Sequence, residues 1–166
     1  MPYTIRPYRP ADRDRLKSIT AAAFGGASID KLLEDRFGPL GETDWAERKA
    51  AAIDADCDAQ PDGILVAQSA DGEVVGYLTT RLNRRTGLGW IANLAVDPAH
   101  QGAGLGRALL TAGLDLLRAA GMTHAKIETL ASNQQGRNLY PSVGFEELTR
   151  QIHFAMDLRP KTGETS

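Results

Sequence analysis

Three closely spaced glycines, Gly102, Gly104 and Gly106, are the residues of this chain whose types and spacing point most directly to chemistry. Because glycines have no side chains, backbone N–H groups beside them can come close to a bound anion. An apolar stretch at 90–96 precedes them and predicts a buried strand, and leucines at helical spacing follow them. Since a helix N-terminus carries partial positive charge, this segment predicts a phosphate-binding loop between a strand and a helix.

The spacing of the glycines separates this loop from two other phosphate-binding loops. A Walker A loop ends in Lys followed by Ser or Thr, whereas Gly106 is followed by Arg107 and Ala108. A dinucleotide-binding fingerprint requires G-x-G-x-x-G after the first strand of its unit, and here G-x-G-x-G follows a late strand. The segment instead resembles the acyl-coenzyme A signature Q/R-x-x-G-x-G/A of the GNAT family of N-acetyltransferases, which is matched by Gln101, Gly104 and Gly106.

A second segment carries the same resemblance. Residues 133–145 are similar to the family pattern N-x-x-A-x-x-L-Y-x-x-x-G-F, with Gly136 in the place of the small residue. Asn133 and Tyr140 are seven positions apart, so they share a helix face if both lie in the helix. Pro141 is unusual in this pattern, and we expect the helix to end or kink directly after Tyr140 because proline has no N–H.

The resemblance implies an acetyl-CoA-dependent N-acetyltransferase, in which a primary amine of an unidentified small molecule, peptide or protein attacks the thioester directly in a ternary complex. It implies that Tyr140 is the catalytic residue, a general acid for the leaving thiolate; a phenol with a pKa near 10 is protonated at neutral pH. The implied acetyl-CoA-binding residues are Leu94, Ala95, Val96, Gln101, Gly102, Ala103, Gly104, Leu105, Gly106, Arg107, Asn133 and Tyr140.

The sequence leaves open which base deprotonates the amine. Many members of the family carry a glutamate on the strand before the loop, but 88–96 contains no carboxylate, and Asn93 is its one polar side chain apart from Trp90. Two routes remain: ordered water leading to backbone carbonyls, or a carboxylate such as Glu128 on the next strand. The simpler explanation is that Glu128 is a solvent-exposed residue of a strand and has no catalytic role.

The charge of one region gives a hint about the acceptor. Residues 28–62 contain ten acidic and four basic side chains. Because this region lines the acceptor side in members of the family, the excess suggests a cationic amine. The alternative is that the acidic side chains lie on solvent-exposed helix faces, which explains the same excess without any ligand.

Hydrophobic periodicity and turn residues predict the elements that position these residues. The predicted strands are 4–8, 64–68, 73–82, 90–96, 124–130 and 146–158, and the predicted helices are 10–24, 28–37, 43–56, 105–120 and 133–140. This order predicts an α/β fold with a mixed, mostly antiparallel central sheet flanked by helices. It agrees with the acyl-CoA N-acyltransferase (GNAT) fold, and the resemblance covers about 64–157.

Length and composition limit the remaining possibilities. A chain of 166 residues with 42% hydrophobic content predicts one N-acetyltransferase domain, 1–158, followed by a polar tail at 159–166. The net charge of −2 gives no reason to expect nucleic acid or a membrane as partner, and the lack of a long apolar run predicts a cytoplasmic protein. One cysteine, Cys57, and three histidines without ligand spacing predict no disulfide and no metal. The resemblance allows a homodimer without requiring one.

Two alternatives from other functional classes stay open. One is a non-catalytic acyl-CoA-binding regulatory module; the missing strand carboxylate favours it, whereas Asn133 and Tyr140 argue against it. The other is a nucleotide-binding protein of a different fold, which would prefer ATP or NAD to coenzyme A.

Overall fold

The computed structural model describes residues 2–26 and 28–160. Within these residues the strands are Tyr3–Pro7 (β1), Ile64–Ser69 (β2), Val74–Asn83 (β3), Leu88–Val96 (β4) and His124–Ile127 (β5). The helices are Arg13–Ala23 (α1), Ile29–Phe37 (α2), Trp45–Ala59 (α3), Leu105–Ala119 (α4) and Gln134–Ser142 (α5). The longest helices of this described part have 15 residues, and none is both long and apolar enough to cross a bilayer.

The five described strands form one sheet in the order in which they occur along the chain. β1 to β4 pair antiparallel with their successive neighbours. β5 runs parallel to β4, as expected for two strands joined by a crossover helix, here α4. The predicted mixed, mostly antiparallel sheet with flanking helices is therefore confirmed.

Two apolar cores lie on opposite faces of the sheet, because the side chains of a strand alternate between its faces. The first core, beneath α1 and α3, contains Leu16, Ile19, Ile53, Cys57, Ile64, Val66, Val74, Tyr77 and Ala95. The second core, beneath α4, contains Leu65, Ala67, Val75, Leu78, Ile91, Leu105, Leu109, Leu110 and Leu117.

Two glycines set how closely α4 approaches the sheet. A Cβ on Gly89 of β4 would lie 2.7 Å from Leu117 Cδ2, and a Cβ on Gly113 of α4 would lie 2.8 Å from Leu78 Cδ1. Neither position accommodates a side chain unless the packed leucines move. This close packing fixes α4 against the sheet, and its first turn therefore lies beside the loop that follows β4.

The strand predicted at 146–158 is wrong. This segment has no regular secondary structure, and it pairs with no strand in the described part of the chain. Alternating apolar residues predict an extended conformation with one apolar face. A strand in a sheet also needs a neighbouring strand to which its backbone is hydrogen bonded. The polar tail predicted at 159–166 lies outside the described residues from 161 onward.

Two predicted boundaries near the end of the fold also differ from the structure. The strand predicted at 124–130 ends at Ile127. The helix predicted to end or kink after Tyr140 continues through Pro141 to Ser142. Proline removes one backbone donor, and so close to the end of a helix this loss does not stop the last turn from forming.

We expect Gly89→Ala to lower the free energy of unfolding by about 1–3 kcal/mol, because the added methyl group overpacks against Leu117. Urea denaturation followed by circular dichroism measures this change. Gly25→Ala is the matched control, since the nearest atom to its Cβ would be 3.8 Å away. Equal stability of Gly89→Ala and the unchanged protein would contradict the close packing of α4 on β4.

Candidate functional site

The glycine loop, residues 101–107, lies mostly exposed between β4 and α4. Gly102 and Gly104 have φ angles of +82° and +78°, which are strained for a residue with a side chain. A Cβ at either position would meet no atom within 4 Å. Glycine is therefore needed for the backbone conformation, and the space above the loop is open to a ligand.

The backbone N–H groups of residues 102–107 have no hydrogen-bond acceptor within the described chain. The next group, Ala108 N, donates to Gly104 O at 3.1 Å and begins the regular helical pattern. At the positive end of α4, six consecutive donors thus have no partner among the residues that the structure describes. A phosphate group at this position would gain both hydrogen bonds and a favourable potential.

Asp97 anchors the chain at the start of the loop. Its Oδ1 accepts a hydrogen bond from Ala99 N at 2.9 Å, and its Oδ2 accepts one from Arg15 Nη2 at 2.8 Å. The backbone N–H of Ala99 and the guanidinium of Arg15 lower the pKa of Asp97. Because Arg15 lies on α1, this ion pair ties the loop to the opposite helical layer.

The outer edge of β4 is open beside the loop. β5 pairs with β4 only as far as Ile91, whereas β3 pairs with the other edge of β4 as far as Val96. Within the described chain, the backbone of Leu94 and Ala95 has no partner on the β5 side. Val96 O accepts from Gln101 Nε2 at 3.0 Å. An extended ligand with amide groups fits such an edge as an added strand.

Helix α5 packs against the first turn of α4 and carries Tyr140. A Cβ on Gly106 would lie 3.5 Å from Leu139 Cδ2. Arg107 donates to Ser142 O at 3.2 Å and to Ser142 Oγ at 2.7 Å. These contacts flank Tyr140 in sequence, so they hold it next to the first turn of α4. They also use the Arg107 side chain to join two helices, leaving its backbone N–H for a ligand.

Tyr140 is half-buried at this junction. Its ring meets Phe145 edge-on, with the ring centroids 6.2 Å apart. Burial raises the pKa of the Tyr140 phenol above its ordinary value of 10.0, and the nearby Thr129 hydroxyl opposes part of that rise. The phenol therefore keeps its proton at neutral pH and is available to donate it where negative charge develops.

Asn133 caps α5 and lies just outside the helix. Its Oδ1 accepts from Gly136 N at 3.3 Å, and its Nδ2 donates to Thr129 Oγ1 at 2.9 Å. Its φ and ψ of −81° and 87° are not helical, so the predicted shared helix face with Tyr140 does not arise. What Asn133 does provide is a defined start for the helix that carries Tyr140.

A buried polar network beside β4 was missed by sequence reasoning. Asp56, which is 4% exposed, accepts hydrogen bonds from Thr79 Oγ1 at 2.8 Å, Asn93 Nδ2 at 2.9 Å and Arg81 Nη2 at 2.7 Å. Lys49 Nζ donates to Asn93 Oδ1 at 3.2 Å, and burial lowers the pKa of Lys49.

The signal that points to this network was present in α3. Asp56 is spaced i+3 from Ile53 and directly precedes Cys57, so a carboxylate stands on the buried face of the helix. A buried carboxylate requires donors nearby. The network explains how Asn93, one residue before the open edge of β4, is held in place.

Glu128, the alternative base, is exposed and accepts from Lys126 Nζ at 3.0 Å. This contact accounts for Glu128 as a solvated residue next to β5. Across residues 2–26 and 28–160, no three His, Cys, Asp or Glu side chains are grouped so that they would hold a metal ion.

Ion pairs balance much of the acidic excess in residues 28–62. Arg48 lies 3.6 Å from Asp30 and 3.5 Å from Glu34, which joins α3 to α2. The other pairs are Asp35 with Lys31, Asp54 with Arg13 and Lys17, Asp56 with Arg81, and Asp58 with Arg13. Since these carboxylates are engaged in joining helices and strands, the excess gives little support to a cationic acceptor.

Comparison with known proteins decides the family. Residues 27–145 match the model of the Acetyltransferase (GNAT) family. This chain belongs to that family. The resemblance inferred from the glycine loop and from residues 133–145 is therefore confirmed.

Two relatives are similar in sequence to this GNAT chain. It is 32% identical over 143 residues to the mycothiol acetyltransferase of Streptomyces avermitilis, in an alignment that covers 86% of this chain and 42% of that relative. It is 33% identical to the aminoglycoside N(6')-acetyltransferase type 1 of Stenotrophomonas maltophilia, with 95% of both chains covered. The GNAT chain thus spans less than half of the first relative and nearly all of the second.

A solved structure supports the fold of this GNAT chain. The PaiA N-acetyltransferase of Thermoplasma acidophilum in complex with coenzyme A superposes with a TM-score of 0.70 at 16% identity. The match covers 88% of this chain and 91% of that structure. At this identity the likeness concerns the fold alone.

We expect Asn133→Ala to destabilise the protein by about 1 kcal/mol, because the Gly136 N–H loses its capping acceptor. For a chain of this size the melting temperature should fall by about 2–4 °C, as measured by differential scanning calorimetry. Asn133→Asp is the control, since aspartate keeps the accepting oxygen and should lose less. Equal losses in the two variants would contradict the capping role.

Proposed function

We propose that this protein is an acetyl-CoA-dependent N-acetyltransferase that transfers an acetyl group to a primary amine. The observation that carries the proposal is the set of six free N–H groups at residues 102–107 beside the open edge of β4. In this proposal residues 1–158 act as one catalytic domain in the cytoplasm. The acceptor is an amine of a small molecule, a peptide or a protein.

The residues around the loop fit the chemical parts of acetyl-CoA. The N–H groups of residues 102–107 suit the two charged phosphates of the diphosphate. The unpaired backbone of Leu94 and Ala95 suits the amides of pantetheine, with Val96 and Gln101 at the turn between the two binding regions. This arrangement leads the thioester end of the molecule toward α5 and Tyr140.

In the proposed reaction, the neutral amine attacks the carbonyl carbon of the thioester and forms a C–N bond. The negative charge on oxygen collapses back, the C–S bond breaks, and the electron pair leaves on sulfur. Tyr140 donates its phenolic proton to that sulfur, which gives the free thiol. Its half-buried position and raised pKa keep the proton available until the bond breaks.

The amine must also lose a proton, and we assign this step to water. β4 carries no carboxylate, and the oxygens of Asp56 are already occupied by Thr79, Arg81 and Asn93. Glu128 is exposed and paired with Lys126. Water hydrogen bonded to backbone carbonyls near the open edge of β4 is therefore the favoured acceptor of the proton.

We expect Tyr140→Phe to lower kcat by about 10- to 1000-fold while the affinity for acetyl-CoA stays nearly unchanged, because only the proton donor is removed. Steady-state kinetics with thiol detection and calorimetry of cofactor binding measure the two effects. Tyr8→Phe is the control, since Tyr8 packs beside the first core on the other face of the sheet. An unchanged kcat in Tyr140→Phe would contradict the role of Tyr140 as the general acid.

We expect Gly104→Val to lower the affinity for coenzyme A by at least about 100-fold, because the side chain would occupy the space above the loop. Gly121→Val is a matched control at the other end of α4. Its φ is +83° and no atom lies within 4 Å of its Cβ, so it carries the same backbone strain away from the site. Calorimetry on the two folded variants compares them, and equal affinities would contradict the proposed diphosphate site.

A non-catalytic acyl-CoA-binding module is the second candidate function. The absence of a carboxylate on β4 favours it. Assays of thiol release with amines, polyamines, peptides and aminoglycosides separate the two candidates, since one of the relatives is named for an aminoglycoside acceptor. If the protein binds coenzyme A but releases no thiol with any of the amines, the result would support the non-catalytic module. Thermal stabilisation by ATP or NAD in preference to coenzyme A would contradict both candidates.

A further inference from the structure

One lysine of the described chain is half-buried and pairs with no carboxylate there. Lys49 lies on α3; its Nζ donates to Asn93 Oδ1 at 3.2 Å and lies 4.7 Å from the centroid of the Phe24 ring, at the end of α1. The other described lysines each pair with a carboxylate: Lys17, Lys31 and Lys126. Because burial penalises a charged amine that has no ion pair, the position of Lys49 needs an explanation.

Asn93 places the amine of Lys49 beside the open part of β4. β4 has no described partner on the β5 side beyond Ile91, so Asn93 lies in that open part. Ala95 belongs to the first core, and Asn93, two residues earlier, points to the same face. There its Nδ2 donates to Asp56 of α3 at 2.9 Å. Lys49 therefore reaches the opening from the side of α3.

The hydrogen bonds of Asn93 hold its amide in one orientation. Its Nδ2 donates to Asp56 Oδ2 and, at 3.2 Å, to Thr79 Oγ1, which leaves Oδ1 to face Lys49. An amide oxygen only accepts, so it binds an N–H of the lysine in either protonation state. A neutral lysine amine that donates to Asn93 keeps its lone pair for a second partner. The contact with Asn93 thus fixes Lys49 Nζ without requiring it to be charged.

The charged groups around Lys49 hold its proton only weakly. Asp30 of α2 and Asp56 of α3 are the carboxylates that act on it, and its contacts from α1 and β4 are uncharged. Arg48 lies 3.6 Å from Asp30, and Arg81 of β3 lies 2.7 Å from Asp56, so each carboxylate already has a cation beside it. Burial lowers the pKa of the Lys49 amine, and the two carboxylates oppose part of that shift. An amine in these surroundings gives up its proton more readily than an exposed lysine.

Lys49 and Tyr140 lie on opposite faces of the sheet. Tyr140 packs against the second core, whereas Lys49 meets β4 through Asn93 on the face of the first core. In the proposed reaction Tyr140 gives a proton to sulfur, and the attacking amine must lose its own proton to another group. The face of α3 is away from the proton donor, and it holds the one described lysine that has no ion pair.

We propose that Lys49 accepts the proton of the attacking amine through one water, an inference that rests on the proposed function. As the substrate nitrogen forms the C–N bond, it releases its proton to the water, and the water passes one of its own protons to the lone pair of the neutral Nζ. Nζ becomes an ammonium, which the ring of Phe24 and the carboxylates of Asp30 and Asp56 stabilise. It returns this proton to solvent before the next turnover.

The first test measures the proton affinity of Lys49 and needs no acceptor. NMR titration of the full chain, with isotope-labelled lysines, should show Lys49 losing its proton at least about one pH unit below Lys17, which lies 3.1 Å from Asp54. Lys49→Met assigns the signal by removing it. Titration of Lys49 together with Lys17, or above it, would overturn the proposal.

The second test follows thiol release against pH, with a polyamine, a lysine-containing peptide and an aminoglycoside as amine probes. In the unchanged protein, kcat should fall about tenfold per pH unit below the pKa of Lys49, because the protonated amine accepts no proton. This limb should stay at the same pH with all three probes, whereas a limb due to the probe moves with the pKa of the probe. Lys49→Met should lose the constant limb and lower kcat at least about 30-fold, with the KM for acetyl-CoA changed less than about threefold. Lys17→Met is the matched control and should keep both kcat and the limb.

Lys49→Arg separates proton transfer from a merely structural role. Arginine keeps the positive charge and the N–H donors toward Asn93, but it stays protonated throughout the assay, so its kcat should match that of Lys49→Met within about threefold. Recovery of kcat by Lys49→Arg, or an unchanged constant limb in Lys49→Met, would overturn the role of Lys49 and leave acetyl transfer in place. No thiol release from the unchanged protein with any probe would instead contradict the proposed function, and this role with it.

Discussion

The backbone N–H groups at the start of a helix need acceptors from outside the helix, and in this protein the groups of residues 102–107 meet none within the described chain. Other parts of the site are arranged around these donors. Gly89 and Gly113 let α4 pack closely on the sheet, which fixes where its first turn lies. Asp97, held by Arg15, anchors the chain just before the turn. Packing on one face of the sheet thus positions a polar site at its end.

The open edge of β4 provides the second part of the site. β5 ends at Ile127, which pairs with Ile91, whereas β4 continues to Val96, so its last five residues pair with no described strand on this side. An unpaired strand edge is a hazard for a protein unless something uses its hydrogen bonds. In the proposed function an extended, amide-containing substrate uses them. The contacts of helix α5 with Gly106 and Arg107 hold Tyr140 next to the first turn of α4.

Local patterns in the sequence predicted the parts of the site that lie within short segments. The glycine loop, the strand before it and the helix after it are contiguous, and so is the stretch from Asn133 to Tyr140. The network around Asp56 was not predicted, because it joins residues that are 23 and 37 positions apart and depends on how α3 packs against the sheet. The segment at 146–158 shows the same limit: its alternation predicted a strand, whereas a hydrogen-bonded neighbour depends on how distant parts of the chain fold together.

The most direct test of the central claim is a titration of isotope-labelled protein followed by amide NMR, with coenzyme A and, separately, with pantetheine, which lacks the diphosphate. We predict that coenzyme A shifts the amide signals of residues 102–107 and of the open edge at Leu94 and Ala95. Pantetheine should shift the edge signals alone. Binding of coenzyme A that leaves the signals of residues 102–107 in place would contradict the claim that these N–H groups bind the diphosphate.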